Sequence, residues 1–337
     1  MPSNTAAWLI APKQHPLEVK EAPLPEPKEN EILVKNHAVG INPVDGGVQK
    51  LAFLPITYPG ILGNEVAGEV VAVGPNVTRF KAGDRVAGHA LTILTMNSDE
   101  GGFQEYTILK TNLTFEILDN ISFEDAVVLP LCLSTAACGL FIDLKLPLPT
   151  VPAQPFDGKT LLVWGGASCV GSNAIQLARA AGYEVITTAS PKNFEYVQTL
   201  GASQAFDYNS TTVKDDIVNA LKGRQLAGIL DCIGFAATPI CLDIAQAAEG
   251  FKFVATTKAR FPTPPEGVQI KHIRGDDLYA RPLGKAIYED FLPAALKAGS
   301  YITAPKPTVI GKGLEHVQAG IDLVGKGVSA TKVVVTL

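Results

Sequence analysis

The sequence predicts an α/β protein of two domains, a compact β-rich barrel and a doubly wound parallel sheet. Three observations carry this expectation. The chain has 337 residues, more than one hydrophobic core usually serves. Its first third holds short β-branched runs between Gly, Pro and Asn. From residue 160 onward, apolar strands alternate with helical segments.

In the first third, Ile32–Lys35 and Glu69–Val73 read as strands, and Gly60, Gly63, Gly68, Gly74, Gly83 and Gly88 suit the tight turns of a small barrel. The pattern changes near Thr114. Phe123–Leu140 reads as a buried helical stretch opened by Ser122, with Glu124 and Asp125 where carboxylates favour the helix dipole. A Pro-rich connector, Leu146–Pro155, precedes Thr160–Trp164, an unbroken apolar strand suited to burial on both faces. Helix Val170–Ala181 follows and ends at Gly182. Strand Glu184–Thr188, helix Asn193–Leu200 and strand Ala202–Tyr208 repeat the alternation. Asp215–Leu221, Gly228–Cys232, Phe251–Thr256 and Val268–Ile273 continue it. The tail is mixed: helix Leu283–Ala298, an extended stretch Thr303–Ile310, helix Leu314–Val324 and strand Lys332–Leu337.

Composition narrows the function. With 47% apolar and 18% charged residues, the chain can bury a core without self-repulsion. A net charge of −5 and no dense Lys/Arg cluster argue against nucleic acid and anionic membranes. Small soluble substrates are the better match. Met1–Pro12 lacks the pattern of a secretory signal. Leu129–Ile142, broken by Pro130 and Ser134, is too short to span a bilayer. Five cysteines without a CxxC pair fit reduced, mostly buried thiols of a cytoplasmic protein.

The strongest local signal is Trp164-Gly165-Gly166-Ala167-Ser168-Cys169-Val170-Gly171, which follows a strand and opens a helix. That context makes it a dinucleotide turn. Gly166 is expected to give the tight turn and a close approach to a pyrophosphate, which the helix N-terminus attracts. Gly171 lets helix and strand pack closely. At the end of the second strand, NAD sites usually place Asp or Glu for the ribose 2′-hydroxyl. Here stand Thr187-Thr188-Ala189-Ser190-Pro191-Lys192-Asn193, with no carboxylate. Ser190, Lys192 and Asn193 suit a 2′-phosphate, which selects NADPH. Tyr208, ending the third strand, can cover the adenine or reach the phosphate. Cys232 and Ile233 follow Asp231, which either borders the nicotinamide half or caps a turn.

These motifs, with Gly40-Ile41-Asn42-Pro43-Val44-Asp45, Pro59–Gly68, Phe80–Val86 and Gly101–Tyr106, resemble the medium-chain dehydrogenase/reductase superfamily over nearly the whole chain. The resemblance implies a GroES-like barrel (residues 1–122 and 290–337) and a Rossmann domain (123–289). It also places Asp45 and Ser168–Gly171 at the cofactor. Zinc-dependent members carry a Cys where Asn42–Asp45 stands and a His where Asn64 stands, so the zinc-free branch is implied and no metal is expected. Trp164–Ser168 and Thr188–Asn193 look most like fungal trans-acting enoyl reductases of polyketide synthases and quinone-oxidoreductase-like proteins. Gly46-Gly47 replaces an aromatic and a basic residue found in many relatives, so no proton donor carries over from this loop.

The expected reaction is hydride transfer from NADPH to the β-carbon of an α,β-unsaturated carbonyl, free or as a thioester, or to a quinone. Asn42, Thr135 and the backbone of Val254, Ala255 and Thr256 are the candidates for organising the cleft. The alternatives are a carbonyl reductase on the same scaffold, a non-catalytic NADPH-binding protein, and a reductase that needs a polyketide synthase acyl carrier as partner.

Overall fold

The computed structural model describes residues 3–337; Met1 and Pro2, where the segment read for a secretory signal begins, lie outside them. The chain divides into two compact units. One holds the described residues up to Leu131 with Pro282–Lys297 and Lys306–Leu337; the other holds Cys132–Arg281 and Ala298–Pro305. These junctions differ from the partition expected at 122/123 and 289/290. The first unit keeps the chain to Leu131 because the Leu131 amide donates to Glu65 Oε2 at 3.0 Å. Tyr288 likewise donates to the Pro130 carbonyl at 2.5 Å.

In chain order, the first unit opens with β1 (Asn4–Leu9), β2 (Glu18–Ala22) and β3 (Glu31–Gly40). Helix α1 (Pro43–Leu51), β4 (Gly60–Ile61), β5 (Glu65–Val73) and β6 (Arg85–His89) follow, then β7 (Tyr106–Lys110) and β8 (Thr114–Glu116). Helix α2 (Pro130–Ala137) leads into β9 (Lys159–Trp164), α3 (Cys169–Ala180), β10 (Glu184–Ala189), α4 (Phe194–Thr199) and β11 (Gln204–Asp207). Next come α5 (Val213–Ala220), β12 (Gln225–Asp231), α6 (Ala237–Ala247), β13 (Phe253–Thr256) and β14 (Gln269–His272). The tail returns to the first unit with α7 (Leu292–Lys297), β15 (Pro307–Lys312), α8 (Val317–Lys326) and β16 (Lys332–Thr336).

The first unit is the GroES-like barrel. Seven strands pair as β15-β16-β3-β5-β6-β8 with β7 on β3, beside a smaller sheet β2-β1-β4. The C-terminal β16 runs antiparallel to β3, with Val334 opposite Gly40, so the tail completes the barrel sheet. Alternating inward positions such as Ile32, Val34, Val66 and Val86 are fully buried. The second unit is a six-stranded parallel sheet ordered β11-β10-β9-β12-β13-β14, the strand order of a dinucleotide-binding fold. Leu162, Ile186, Ile229 and Val254, all fully buried, form its centre. Cys132, Cys138, Cys232 and Cys241 are buried free thiols, and Cys169 is half-buried.

Two readings need correction. Helix α6 was not foreseen. The helical run Phe123–Asp143, of which α2 is the middle piece, has 21 residues with a mean hydropathy of 1.9, long and apolar enough to cross a membrane where Leu129–Ile142 was read as too short. Burial of 72% of its apolar window inside the protein, rather than its length, distinguishes it from an exposed span.

Candidate functional site: a dinucleotide turn and a buried polar cluster

In the second unit the turn between β9 and α3 is stitched to β10. Gly165 N donates to Thr188 Oγ1 at 2.9 Å, and Gly166 N to the Thr188 carbonyl at 3.0 Å. Ser168 caps α3: its hydroxyl accepts from Gly171 N at 3.0 Å and donates to the Gly165 carbonyl at 2.7 Å. The tight turn belongs to Gly165, at φ +84°, not to Gly166. A side chain on Gly166 would overlap Thr187, so that glycine is fixed by its approach to β10. A side chain on Gly171 would overlap the Gly165 carbonyl, which explains the close passage of α3. The result is a backbone cradle at the N-terminus of a twelve-residue helix. It fits the pyrophosphate of a dinucleotide.

The other expected cofactor residues gather at the carboxyl ends of neighbouring strands. Ser190, Lys192 and Asn193 form a short turn after β10, where Asn193 Nδ2 donates to Ser190 Oγ at 3.1 Å. Lys192 is exposed and makes no hydrogen bond or ion pair among the described residues. Tyr208, 47% exposed, follows β11. Asp231 is a turn cap: its Oδ1 accepts from Ile233 N (3.0 Å) and Gly234 N (2.8 Å), and Oδ2 from the hydroxyls of Thr238 and Thr256. That cap holds Cys232, whose amide donates to the Trp164 carbonyl, and Ile233, whose side chain lies against Gly165. Ala167, Cys169 and Val170 lie within the turn or open α3. Val254, Ala255 and Thr256 sit in β13, buried and paired on both sides to β12 and β14. Thr135, in α2, has its hydroxyl against Gly275, after β14. It belongs to the second unit, whereas Asn42 and Asp45 belong to the first.

Asn42 and Asp45 stand in a fully buried polar cluster. Asn42 ends the loop from β3 in extended conformation and Pro43 begins α1. Asp45 Oδ2 accepts from Asn42 N at 2.7 Å, and Oδ1 accepts from Asn64 Nδ2 at 2.6 Å. Asn42 Nδ2 donates to Glu65 Oε1 at 2.7 Å, and Lys332 Nζ donates to Asn42 Oδ1 at 2.6 Å and pairs with Glu65. A lysine only donates and a carboxylate only accepts, so the Asn42 amide has one orientation. Glu65 and Lys332 are 0% and 2% exposed at the side chain. Burial pushes the Asp45 carboxyl up to about 7, against the lowering influence of the Asn42 amide and Lys332. Glu65 and Lys332 had no role in the sequence reading. The only hint of Lys332 was a charge opening the β-branched run Val333-Val334-Val335.

A barrel with a Rossmann-type sheet and a glycine turn defines a nicotinamide-dependent oxidoreductase, and the comparisons agree. Residues 28–119 match the alcohol dehydrogenase GroES-like domain, and residues 169–290 match the zinc-binding dehydrogenase family. This chain belongs to the medium-chain dehydrogenase/reductase superfamily. It is 56% identical over 335 residues to the zinc-binding alcohol dehydrogenase domain-containing protein cipB of Emericella nidulans, covering 99% of this chain and 98% of that protein. It is 38% identical to the trans-enoyl reductase himH of Aspergillus japonicus, over 99% of this chain and 97% of that one. The CurK enoyl reductase structure shares the fold, with a TM-score of 0.80 over 99% of both chains at 22% identity.

The zinc in the second family's description can be tested against these residues. Where zinc-dependent members carry a Cys and a His, this chain has the segment Asn42–Asp45, which holds no cysteine, and Asn64. Asn64 turns its amide nitrogen, a donor without a lone pair, to Asp45. Glu65 is already paired with the Lys332 ammonium. This donor set does not fit a zinc ion.

Proposed function

We propose that this chain is an NADPH-dependent enoyl reductase that reduces a conjugated C=C bond without zinc. The observation that carries the reading is the buried cluster, where an ammonium and two amides stand instead of a metal's ligands. Such a site can stabilise negative charge only through hydrogen bonds, which favours acceptors that spread the charge over an enolate. Kinship with himH, named a trans-enoyl reductase, supports the same chemistry.

In this reading the turn Gly166–Gly171 cradles the pyrophosphate, and Cys232, Ile233 and the β13 end border the nicotinamide half. Ser190, Lys192 and Asn193 select the 2′-phosphate, with Tyr208 over the adenine side. NADPH supplies a hydride for the electron-poor β-carbon. Asn42 uses one hydrogen of its Nδ2 on Glu65 and keeps the second for a substrate oxygen. Lys332 and Glu65 hold that amide from turning. Thr135 is the hydroxyl offered by the second unit. Substrates are unsaturated carbonyls, free or as thioesters, including those carried by a polyketide synthase.

A panel of enones, enoyl thioesters, quinones, simple ketones and primary alcohols tests the assignment. With C4-deuterated NADPH of the correct face, deuterium should appear at the β-carbon of reduced enones. Turnover of simple alcohols with enones inert would overturn it. Turnover of quinones alone would reassign the enzyme to quinone reduction, and tight NADPH binding without any turnover would favour a non-catalytic role.

A further inference from the structure

The two turns proposed above for the cofactor's phosphates stand on neighbouring strands of the second unit. The glycine turn follows β9, and the Ser190–Asn193 turn follows β10 and leads directly into α4. The parallel ladder between these strands ends at Val163 and Thr187, so beyond it the turns depend on other ties. Thr188 holds the amides of Gly165 and Gly166. A second tie runs through the helices. The Tyr196 hydroxyl, in the first turn of α4, lies 2.8 Å from the Ser172 hydroxyl of α3, which donates to the Gly166 carbonyl at 3.2 Å. A carbonyl only accepts and Ser172 has one hydroxyl hydrogen, so Tyr196 is the donor to Ser172. Ser172 is 0% exposed, which keeps the link away from competing water. Gly166 is thus gripped at its amide from β10 and at its carbonyl, through Ser172, from α4. By contrast, the hydrogen bond between Asn193 and Ser190 lies inside their own turn. It shapes that turn without fixing its distance from β9.

We propose that Tyr196 is a positioning residue for cofactor choice: through Ser172 it holds the Ser190–Asn193 turn in register with the glycine turn, and so favours a dinucleotide with an anion for each. A ligand that engages two loops gains fully from the second only when their spacing is set beforehand. Otherwise part of the gain is lost in ordering them. NADPH presents both a pyrophosphate and a 2′-phosphate, NADH only the first and 2′-AMP only the second. Tyr196→Phe keeps the ring and removes the hydroxyl. Ser172 retains its bond to Gly166 in that variant, and Ser190 and Lys192 are untouched, so only the tie between the turns is cut. This role rests on the NADPH reading and on no feature of the reduction step.

Calorimetric titration of the full chain with NADPH, NADH and 2′-AMP tests it. Tyr196→Phe should weaken NADPH roughly fivefold or more, the worth of a single net hydrogen bond, and shift NADH and 2′-AMP less than about twofold. In a Lys192→Ala background, where the 2′-phosphate has lost its cation, the same substitution should change NADPH binding less than about twofold. Ser172→Ala cuts the tie from α3 and replaces Tyr196→Phe if that variant misfolds; its NADPH loss should exceed its NADH loss by the same factor. Equal losses for all three ligands, no loss for NADPH, or a NADPH loss undiminished by Lys192→Ala would overturn the role of Tyr196 and leave the NADPH reading standing. Equal affinity of the unaltered protein for NADPH and NADH would overturn the NADPH reading, and this role with it.

Discussion

Replacing Lys332 with Met keeps the length of the side chain and removes its charge. The structure states what is left behind. Glu65, wholly buried, would keep the Asn42 amide at 2.7 Å and the Leu131 amide at 3.0 Å but lose the one cation paired with it among the described residues. Asn42 Oδ1 would lose the donor at 2.6 Å. Stripping one partner from a buried pair costs about 3–5 kcal/mol, because the surviving charge stays out of water uncompensated. That is a large share of the ~5–15 kcal/mol by which a domain is usually stable. The penalty comes from the orphaned charge, so Glu65→Gln in the same chain should return at least ~2 kcal/mol of it. The two single substitutions should therefore sum to clearly more than the double one. Urea unfolding at neutral pH, followed by Trp8 fluorescence with Trp164 replaced by Phe, reads the first unit alone. A loss below ~1 kcal/mol for Lys332→Met, or strict additivity with Glu65→Gln, would refute the argument that this ammonium balances the cluster.

Two further outcomes follow from single residues. Lys192→Ala should lower NADPH affinity roughly ten- to hundredfold, equivalent to the ~1–3 kcal/mol of a charge-assisted contact, and leave NADH binding within twofold. Equal losses for both cofactors in a binding titration would mean that Lys192 serves the fold. Asp45 ionises near 7 when folded and near 3.8 otherwise. The folded state thus holds a proton that the unfolded chain releases, and stability falls as pH rises through that window. About three pKa units correspond to at most ~4 kcal/mol. Asp45→Asn should remove this slope, so the variant gains on the unaltered protein between pH 4 and 7. Parallel stability curves for the two proteins would contradict the assignment.

The parallel sheet was legible because its central strands are apolar on both faces. Thr160–Trp164 could not be mistaken for an exposed strand, and β9 is buried from Thr160 to Trp164. The glycine turn was legible from context, yet two adjacent glycines gave no way to tell which takes positive φ. Hydrogen bonds to Thr188 assign that conformation to Gly165. Helix α6, not foreseen between Gly228–Cys232 and Phe251–Thr256, carries Pro239, a residue type that disrupts helix interiors. In the fold it stands in the first turn, where no amide hydrogen is required. Asn42 was singled out from its motif, but its partners were not, since Lys332 lies 290 positions away. No local pattern encodes a contact that only the pairing of β16 with β3 creates.

That contact explains why the tail and the first helix form one functional piece. β3 delivers the chain to Asn42, and β16 lies antiparallel on the end of β3, with Val334 opposite Gly40. The same pairing sets Lys332, at the start of β16, beside Asn42. The last strand therefore does two things at once. It bridges β3 and β15 in the barrel sheet, and it brings an ammonium to the Asn42 Oδ1, reinforcing the orientation that Glu65 sets at the Nδ2. Without the lysine, Glu65 alone would hold the amide, and a turn that set its oxygen against that carboxylate would cost the 2.7 Å hydrogen bond. In the reaction proposed above, such a turn would also give an enolate oxygen an acceptor in place of a donor, so Glu65 and Lys332 guard the same orientation from two sides.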